Sequence, residues 1–281
     1  MNAEVTGLIR SAGQVTGVQV ETPDGPMTVG ALLTIGADGR HSVVRQAAGL
    51  TVEVLGAPID VLWMRLPRLD SDRSEILGVI RRGRVLVMLN RGDYWQCAFV
   101  IAKGGFGAVK EKGLDAFRED IAATVPFMAD RVGALRSWDD IKLLTVMVDR
   151  LQQWHAPGLL CIGDAAHAMS PIGGVGINLA IQDAVATANL LYRPLLARNV
   201  SVADLAAVQR RRLFPTRVTQ LAQVTIQNRV LARAIRSTGP VTLPWPVRLL
   251  NDHPRLRRIP ARLVGMGVRP EHIHTPEVGP S

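Results

Sequence analysis

From Val15 to Glu21 apolar residues alternate with polar ones, the period of a half-buried strand. Pro23-Asp24-Gly25-Pro26 is a turn signal, and Met27 to Thr34 reads as the return strand of a hairpin. Ala31 to Ile35 is apolar on both sides, as in a buried strand, and it runs into Gly36-Ala37-Asp38-Gly39. Ser42 to Ala48 predicts a short helix ended by Gly49. A different texture follows. Asp60–Leu66, Glu75–Ile80, Val85–Leu89 and Tyr94–Ala102 are β-rich runs broken by Pro67, Arg82-Gly83 and Arg91-Gly92-Asp93, which predicts an antiparallel sheet of short hairpins. Leu114, Phe117, Ile121 and Val125 recur at helical spacing up to Pro126, and Ile141 to Val148 reads as another strand.

Pro157-Gly158 precedes the wholly apolar run Leu159 to Ile162, which stops at Gly163-Asp164. After a loop through Pro171 a long helix is predicted from Gly174 to Tyr192, with Ile177, Ile181, Ala184, Ala188 and Leu191 as its buried stripe. Residues 201–236 are again helical, with Leu221, Val224, Leu231 and Ile235 on one face, and the last forty residues read as a loose tail rich in Pro and Arg.

The chain has 281 residues, 47% of them hydrophobic and 20% charged, which is a globular composition with room for about two domains. Its two cysteines, Cys97 and Cys161, lie far apart in apolar runs, which excludes a disulfide scaffold and a cysteine-rich zinc module and suits a reducing cytosol. Met1 leads into a mixed polar stretch, and no apolar run approaches the ~20 residues of a membrane span, so a cytoplasmic protein without a transmembrane segment is expected. The net charge of +9 is local: Arg193 to Arg269 holds fifteen arginines, no lysine and two acids. No aromatic residues interleave with these arginines as a single-strand platform requires, so nucleic-acid binding is not expected; a solvated helical face or contacts to another protein surface account for them. His272 and His274 flank Ile273, but no carboxylate or cysteine cluster completes a metal set, and none is expected. His155 and His167 stand beside strand ends. No Gly-x-Ser-x-Gly, His-Glu-x-x-His or Walker lysine is present, so no side-chain nucleophile is expected as catalyst.

Two segments break a buried strand with Asp-Gly or Gly-Asp: Gly36 to Arg45, and the sixteen-residue run Gly163 to Asn178. In the second, a carboxylate stands at the carboxyl end of a strand, where it can accept hydrogen bonds from ligand hydroxyls. The following glycines let a flat ligand approach the backbone and open a long helix whose positive end favours negative charge, such as develops at the N1–C2=O2 edge of a reduced flavin.

Both segments resemble fingerprints of the p-hydroxybenzoate hydroxylase-like, FAD-dependent aromatic hydroxylases, firmly over residues 1 to 195 and loosely beyond. The resemblance implies an α/β, truncated FAD/NAD(P)-binding three-layer fold with an antiparallel substrate-domain sheet and C-terminal helices. Residues 1–50 and 151–195 would form the FAD-binding domain, 51–150 the substrate domain, and 196–281 a helical region with a basic tail. It implies FAD as cofactor, NAD(P)H as electron donor, and hydroxylation of an aromatic or polyketide-like molecule by O₂ through a C4a-hydroperoxyflavin. A reductase or dehydrogenase of the same fold, or a non-catalytic fragment that does not retain FAD, are the alternatives.

Carried over by position, the resemblance has Asp164, after Gly163, bind the ribitol hydroxyls and Pro171 lie beside the isoalloxazine. Gly173, Gly174, Val175, Gly176, Ile177 and Asn178 would form the flavin-edge run, with backbone N–H groups of Gly174, Val175 and Gly176 as donors. Asp38 and Gly39 would sit behind the pyrophosphate, and His41 and Arg45 would meet the NAD(P)H phosphates, with an exposed turn as the other reading of His41. Trp63, Arg65, Tyr94, Trp95 and Phe99 are candidate substrate-lining residues or ordinary sheet packing. The family's opening strand–Gly-x-Gly-x-x-Gly–helix has no counterpart in the chain, so an N-terminal partner or missing segment is expected to supply the ADP-binding unit.

Overall fold

A computed structural model describes residues 2–72, 77–81, 83–236, 249 and 252–276. It has the mixed α/β architecture that the resemblance implies, with two compact units: residues 1–56, 147–222 and 254–281 in the first, 57–146 and 223–253 in the second.

The first unit opens with an antiparallel meander of β1 (Glu4–Ser11), β2 (Gln14–Thr22) and β3 (Gly25–Gly30). The predicted return strand is therefore shorter than its apolar pattern. It stops at Gly30, and the chain leaves the meander to form β4 (Thr34–Gly36), which pairs in parallel with β13 (Leu159–Cys161). β12 (His155–Ala156) completes this sheet in the order β12-β13-β4, and β5 (Val52–Val54) pairs with β11 (Asp149–Leu151). β13 is wholly buried, as its composition predicts, among Val15, Val44, Trp154 and Leu191. β4 is not: Thr34 and Gly36 are buried, but Ile35 is exposed, as is Leu32 ahead of the strand.

The second unit is built on an antiparallel sheet, β10-β6-β9-β8-β7, made of β6 (Ile59–Pro67), β7 (Leu77–Arg81), β8 (Arg84–Asn90), β9 (Tyr94–Ala102) and β10 (Lys142–Leu144). Residues 75, 76 and 82 of the predicted hairpins lie outside the described residues. Leu62, Met64 and Leu66 of β6 alternate onto the face that also holds Leu86, Met88, Trp95, Cys97 and Phe99. After α1 (Val43–Ala47) in the first unit and α2 (Phe106–Glu111), helix α3 (Leu114–Thr124) closes that face, with Phe117 edge-on to Phe99 at 5.2 Å. The predicted strand Ile141–Val148 is split. Its first part is β10, then Val146 donates its N–H to Asp60, and the next ladder begins at β11.

Asp60 accepts from Lys103 Nζ at 2.8 Å, Gly104 N at 2.8 Å and Val146 N at 2.9 Å, pinning three chain segments. Burial pushes its carboxyl up, but Lys103 and the two backbone donors outweigh this and hold it below the usual range. Asp72, gripped by both arms of Arg131 and by Trp95 Nε1, is also held well below the usual range, chiefly by the Arg131 hydrogen bonds. Both cysteine thiols are buried, which pushes each up to about 12 and leaves them unreactive.

Phe117→Ala should destabilise the second unit by about 3–5 kcal/mol, read as a lowered urea midpoint. The depressed Asp60 and Asp72 carboxyls stabilise the fold fully above their unfolded values near about pH 4, and this is lost as pH falls through the lower folded values. The urea midpoint should therefore be lower at about pH 3 than at neutrality.

Candidate functional site

Parallel pairing sets β4 and β13 side by side, so both strand-ending segments emerge at the same carboxyl edge although far apart in sequence. Ile162 N donates to Gly36 O at 2.9 Å, tying the two strand ends together. Beyond them Arg40 Nη2 stands 3.7 Å from Asp164 Oδ2, an ion pair across the two segments. Asp164 is partly exposed, its carboxylate facing outward as a hydrogen-bond acceptor.

In the first segment, Asp38 Oδ2 accepts from Val44 N at 3.1 Å and Ser42 Oγ from Arg45 N at 2.9 Å, which caps α1. Gly39 turns the loop at φ +83°, and His41 is exposed. Arg45 departs from its expected role. It is buried, ion-paired with Asp149 at 3.5 Å through Nη1 and bonded to Arg40 O through Nη2, so its guanidinium lies inside the fold and not on the surface.

In the second segment, Gly163 adopts φ +58°, and a Cβ there would meet the Ala180 methyl at 3.1 Å. Glycine is thus required both by the backbone and by the approach of helix α4 (Gly176–Leu196). His167 through Ser170 are buried, and Pro171 and Ile172 lead to Gly173 (φ +76°) and Gly174 (φ +63°). Gly174 gives its N–H to Pro171 O at 3.1 Å and is thereby used internally, contrary to its expected role. No side chain caps α4, so its first turn from Val175 onward presents backbone N–H groups. Asn178 donates its side-chain amide to Val264 O and Gly265 O, at the carboxyl end of the helix Arg258–Gly265.

The α4 stripe is corrected. Ile177 and Ile181 are 68% and 57% exposed, and Ala184 and Ala188 are also exposed. The buried face is Leu179, Asp183, Ala186, Thr187 and Leu191. Its centre is a polar group the sequence reading missed. Asp183 Oδ2 accepts from Gly163 N at 3.1 Å and bonds His167 Nε2 at 2.6 Å, while Oδ1 accepts from Arg212 Nε at 2.9 Å. Burial alone would raise this carboxyl, but His167 and Arg212 hold it below the usual range. The signal in the sequence is that Asp183 is the sole acid of this helix.

Arg212 belongs to α5 (Val202–Ile226), whose buried row is Arg212, Thr216 and Gln220. The apolar face predicted there is also corrected: Leu221 is 70% exposed, and Val224, Leu231 and Ile235 are only half-buried. The tail is tethered. Arg211 and Arg212 hold Glu271, Arg269 lies over Phe214 at 4.5 Å, and Asn189 bonds His272 O and His274 N. Arg211, Arg212 and Arg269 of the fifteen arginines thus serve internal contacts.

In the second unit Trp63, Arg65 and Tyr94 share the sheet face away from α3, with the Arg65 guanidinium 4.9 Å above the Tyr94 ring. Trp95 and Phe99 are corrected: strand alternation turns them into the core against α3. A cavity of about 540 Å³ lies beside Trp63, Arg65, Gln96, Asp140 and Lys142. Among the described residues no cluster of three metal-ligating side chains occurs, and no helix is long and apolar enough to cross a membrane.

Asp183→Asn should destabilise the first unit by about 1–3 kcal/mol in urea unfolding, because the buried Arg212 would lose its closer carboxylate, at 2.9 Å, and keep only Glu271 at 3.4 Å.

The profile of the FAD binding domain family matches residues 1–222. The chain is 35% identical over 264 residues to 6-methylpretetramide 4-monooxygenase of Streptomyces rimosus, covering 92% of this chain and 62% of that protein. Two solved structures share its fold: a probable FAD-dependent monooxygenase, pqsL, of Pseudomonas aeruginosa (TM-score 0.67, 20% identity, 83% of this chain and 65% of that one), and the OxyS anhydrotetracycline hydroxylase of S. rimosus (TM-score 0.62, 21% identity, 98% and 54%). The chain therefore spans about three-fifths of the length of its S. rimosus relative, and with four-fifths of its own residues matched it belongs to the FAD binding domain family.

Proposed function

We propose that the chain is the flavin-cradling part of an FAD-dependent monooxygenase that uses NAD(P)H and O₂ to hydroxylate an aromatic, polyketide-like molecule. One observation carries the reading: the uncapped, glycine-led start of α4 stands after the same strand end that presents the Asp164 carboxylate. The residues present fit the flavin end of FAD. Open space lies where a Cβ on Gly174 would stand, so a flat ring meets no side chain there. FAD, when bound, supplies the redox and oxygen-transfer chemistry.

The chain's own residues bind and orient it. Asp164 would accept from the ribityl hydroxyls, Pro171 and Gly173 would border the ring, and the N–H groups of Val175 and Gly176, at the positive end of α4, would hold its pyrimidine edge. Gly163, held by Asp183, fixes the turn that aims Asp164. Asp38 and Gly39 border the neighbouring strand end, and His41, exposed beside them, is the remaining candidate for a nicotinamide phosphate. For the substrate, Trp63, Arg65 and Tyr94 offer an aromatic face with a cation. The name of the S. rimosus relative, a 4-monooxygenase of 6-methylpretetramide, supports this class.

Incubation with FAD should give a yellow protein that oxidises NAD(P)H with oxygen uptake when substrate is present. NAD(P)H oxidation without hydroxylation would favour a reductase, and a colourless protein would favour a fragment that does not retain flavin. In a flavin-binding preparation, Asp164→Ala should weaken FAD affinity by about 1–3 kcal/mol, measured by fluorescence titration.

A further inference from the structure

The face of the second sheet away from α3 is not uniform. Val61, Ala98 and Val100 lie on the same side as Trp63, but they are buried. The cavity of about 540 Å³ sits where this face is accessible, and strand register supplies its lining as two cross-strand pairs. Arg65 of β6 stands opposite Gln96 of β9, and Trp63 of β6 stands opposite Lys142 of β10. Directly paired residues of antiparallel strands put their side chains on one side, close enough to act on the same ligand. Asp140, just ahead of β10, adds an acid to the lining.

Hydrogen-bond capacity divides these groups. Gln96 Oε1 already accepts from Arg91 Nε at 2.9 Å, so what Gln96 has left to offer is its amide nitrogen, a donor. Asp140 Oδ2 accepts from Ser137 N at 3.1 Å and Arg136 N at 2.7 Å, and these bonds hold its carboxyl below the usual range. Asp140 is thus a fixed negative charge that compensates Lys142, two residues on. Arg65 has no such neighbour. Among the described residues it hydrogen-bonds to nothing and pairs with no carboxylate, and its guanidinium lies over the Tyr94 ring at 4.9 Å. That contact engages a ring face and leaves the guanidinium N–H donors unused. The uncompensated charge of the lining is Arg65, and the group opposite it across the ladder is another donor.

We propose that this cavity selects a flat aromatic ligand that is anionic, with Arg65 and the Gln96 amide nitrogen holding its ionised oxygens and Trp63 lying against its rings. The oxygens are those of a carboxylate, or of an ionised hydroxyl beside a carbonyl, since both present two acceptors in one plane to the guanidinium fork. A neutral molecule of the same shape would cover Arg65 and strip its water without giving the charge a partner. The volume lies within the roughly 300–1,000 Å³ of small-molecule sites. The inference rests on the reading of this face as the substrate's and narrows that reading to acids; the flavin-cradling segments play no part in it.

The full 281-residue chain, with and without FAD, is equilibrated by dialysis against 9,10-anthraquinone-2-carboxylate and against its uncharged amide, 9,10-anthraquinone-2-carboxamide. The acid should bind at least about tenfold more tightly than the amide. Arg65→Met should reduce that difference to about twofold or less, while Lys142→Met, whose charge Asp140 already compensates, should leave most of it. Both side chains are exposed, and unchanged circular dichroism and urea midpoints confirm that the variants are folded. Equal binding of acid and amide, a preference that survives Arg65→Met or falls equally with Lys142→Met, or binding of neither probe would overturn the inference. So would displacement of the acid by NADP⁺ with the same dependence on Arg65, which would assign the cavity to the phosphates of the nucleotide. A chain that takes up FAD yet shows no Arg65-dependent preference keeps the flavin reading and loses this one. A chain that shows the preference but stays colourless with FAD does the opposite.

Discussion

The arrangement of the first unit depends on one buried carboxylate. Asp183 is fully enclosed, and an unpaired charge there would not be tolerated. Its three partners come from three places: the Gly163 amide at the strand end, His167 in the loop, and Arg212 in α5. Satisfying this single group fixes the strand end, the loop and two helices in one geometry. Arg212 also reaches Gln182, Glu271 and Arg269 O, so the same charge system extends into the C-terminal segment. An apolar residue at 183 would fill space but would set none of these relations.

The second unit divides its labour by strand alternation. One face of the sheet is devoted to packing, with Trp95 and Phe99 buried there, Phe117 against Phe99 and Trp138 against Phe117. The opposite face keeps Trp63, Arg65, Gln96 and Lys142 accessible around a cavity. Side chains one position apart on the same strand therefore serve unrelated purposes.

Much of this was legible in the chain. Alternation with strong turns marked the sheet of the second unit, and the Leu114–Val125 spacing marked α3. The Gly36–Arg45 and Gly163–Asn178 segments announced their strand–loop–helix character, and the structure brings them together at one edge. Their individual ligand contacts stay at the level of proposal. The misreadings share a cause: apolarity was equated with burial. Ile177 and Ile181 are apolar and exposed, whereas Asp183, Arg212, Thr216 and Gln220 are polar and buried, because charge pairing and hydrogen bonding repay their desolvation. The resemblance has Arg45 meet the NAD(P)H phosphates, yet a long-range partner, Asp149, draws it inward, and local pattern carries no trace of such pairs. The split of Ile141–Val148 has the same origin, since Asp60, far upstream, sets where that run leaves its sheet.

The grip of α4 on the C-terminal segment is made almost wholly to main-chain atoms. Asn178, Gln182 and Asn189 bind four carbonyl oxygens and one amide, and touch no tail side chain through these bonds. Sequence drift along most of that tail therefore leaves the clasp unharmed, while substitution of any of the three amide residues loosens it at once. Across descendants of this chain, three helix positions would stay fixed while the stretch they hold diverges freely around Arg269 and Glu271, whose side chains are themselves engaged.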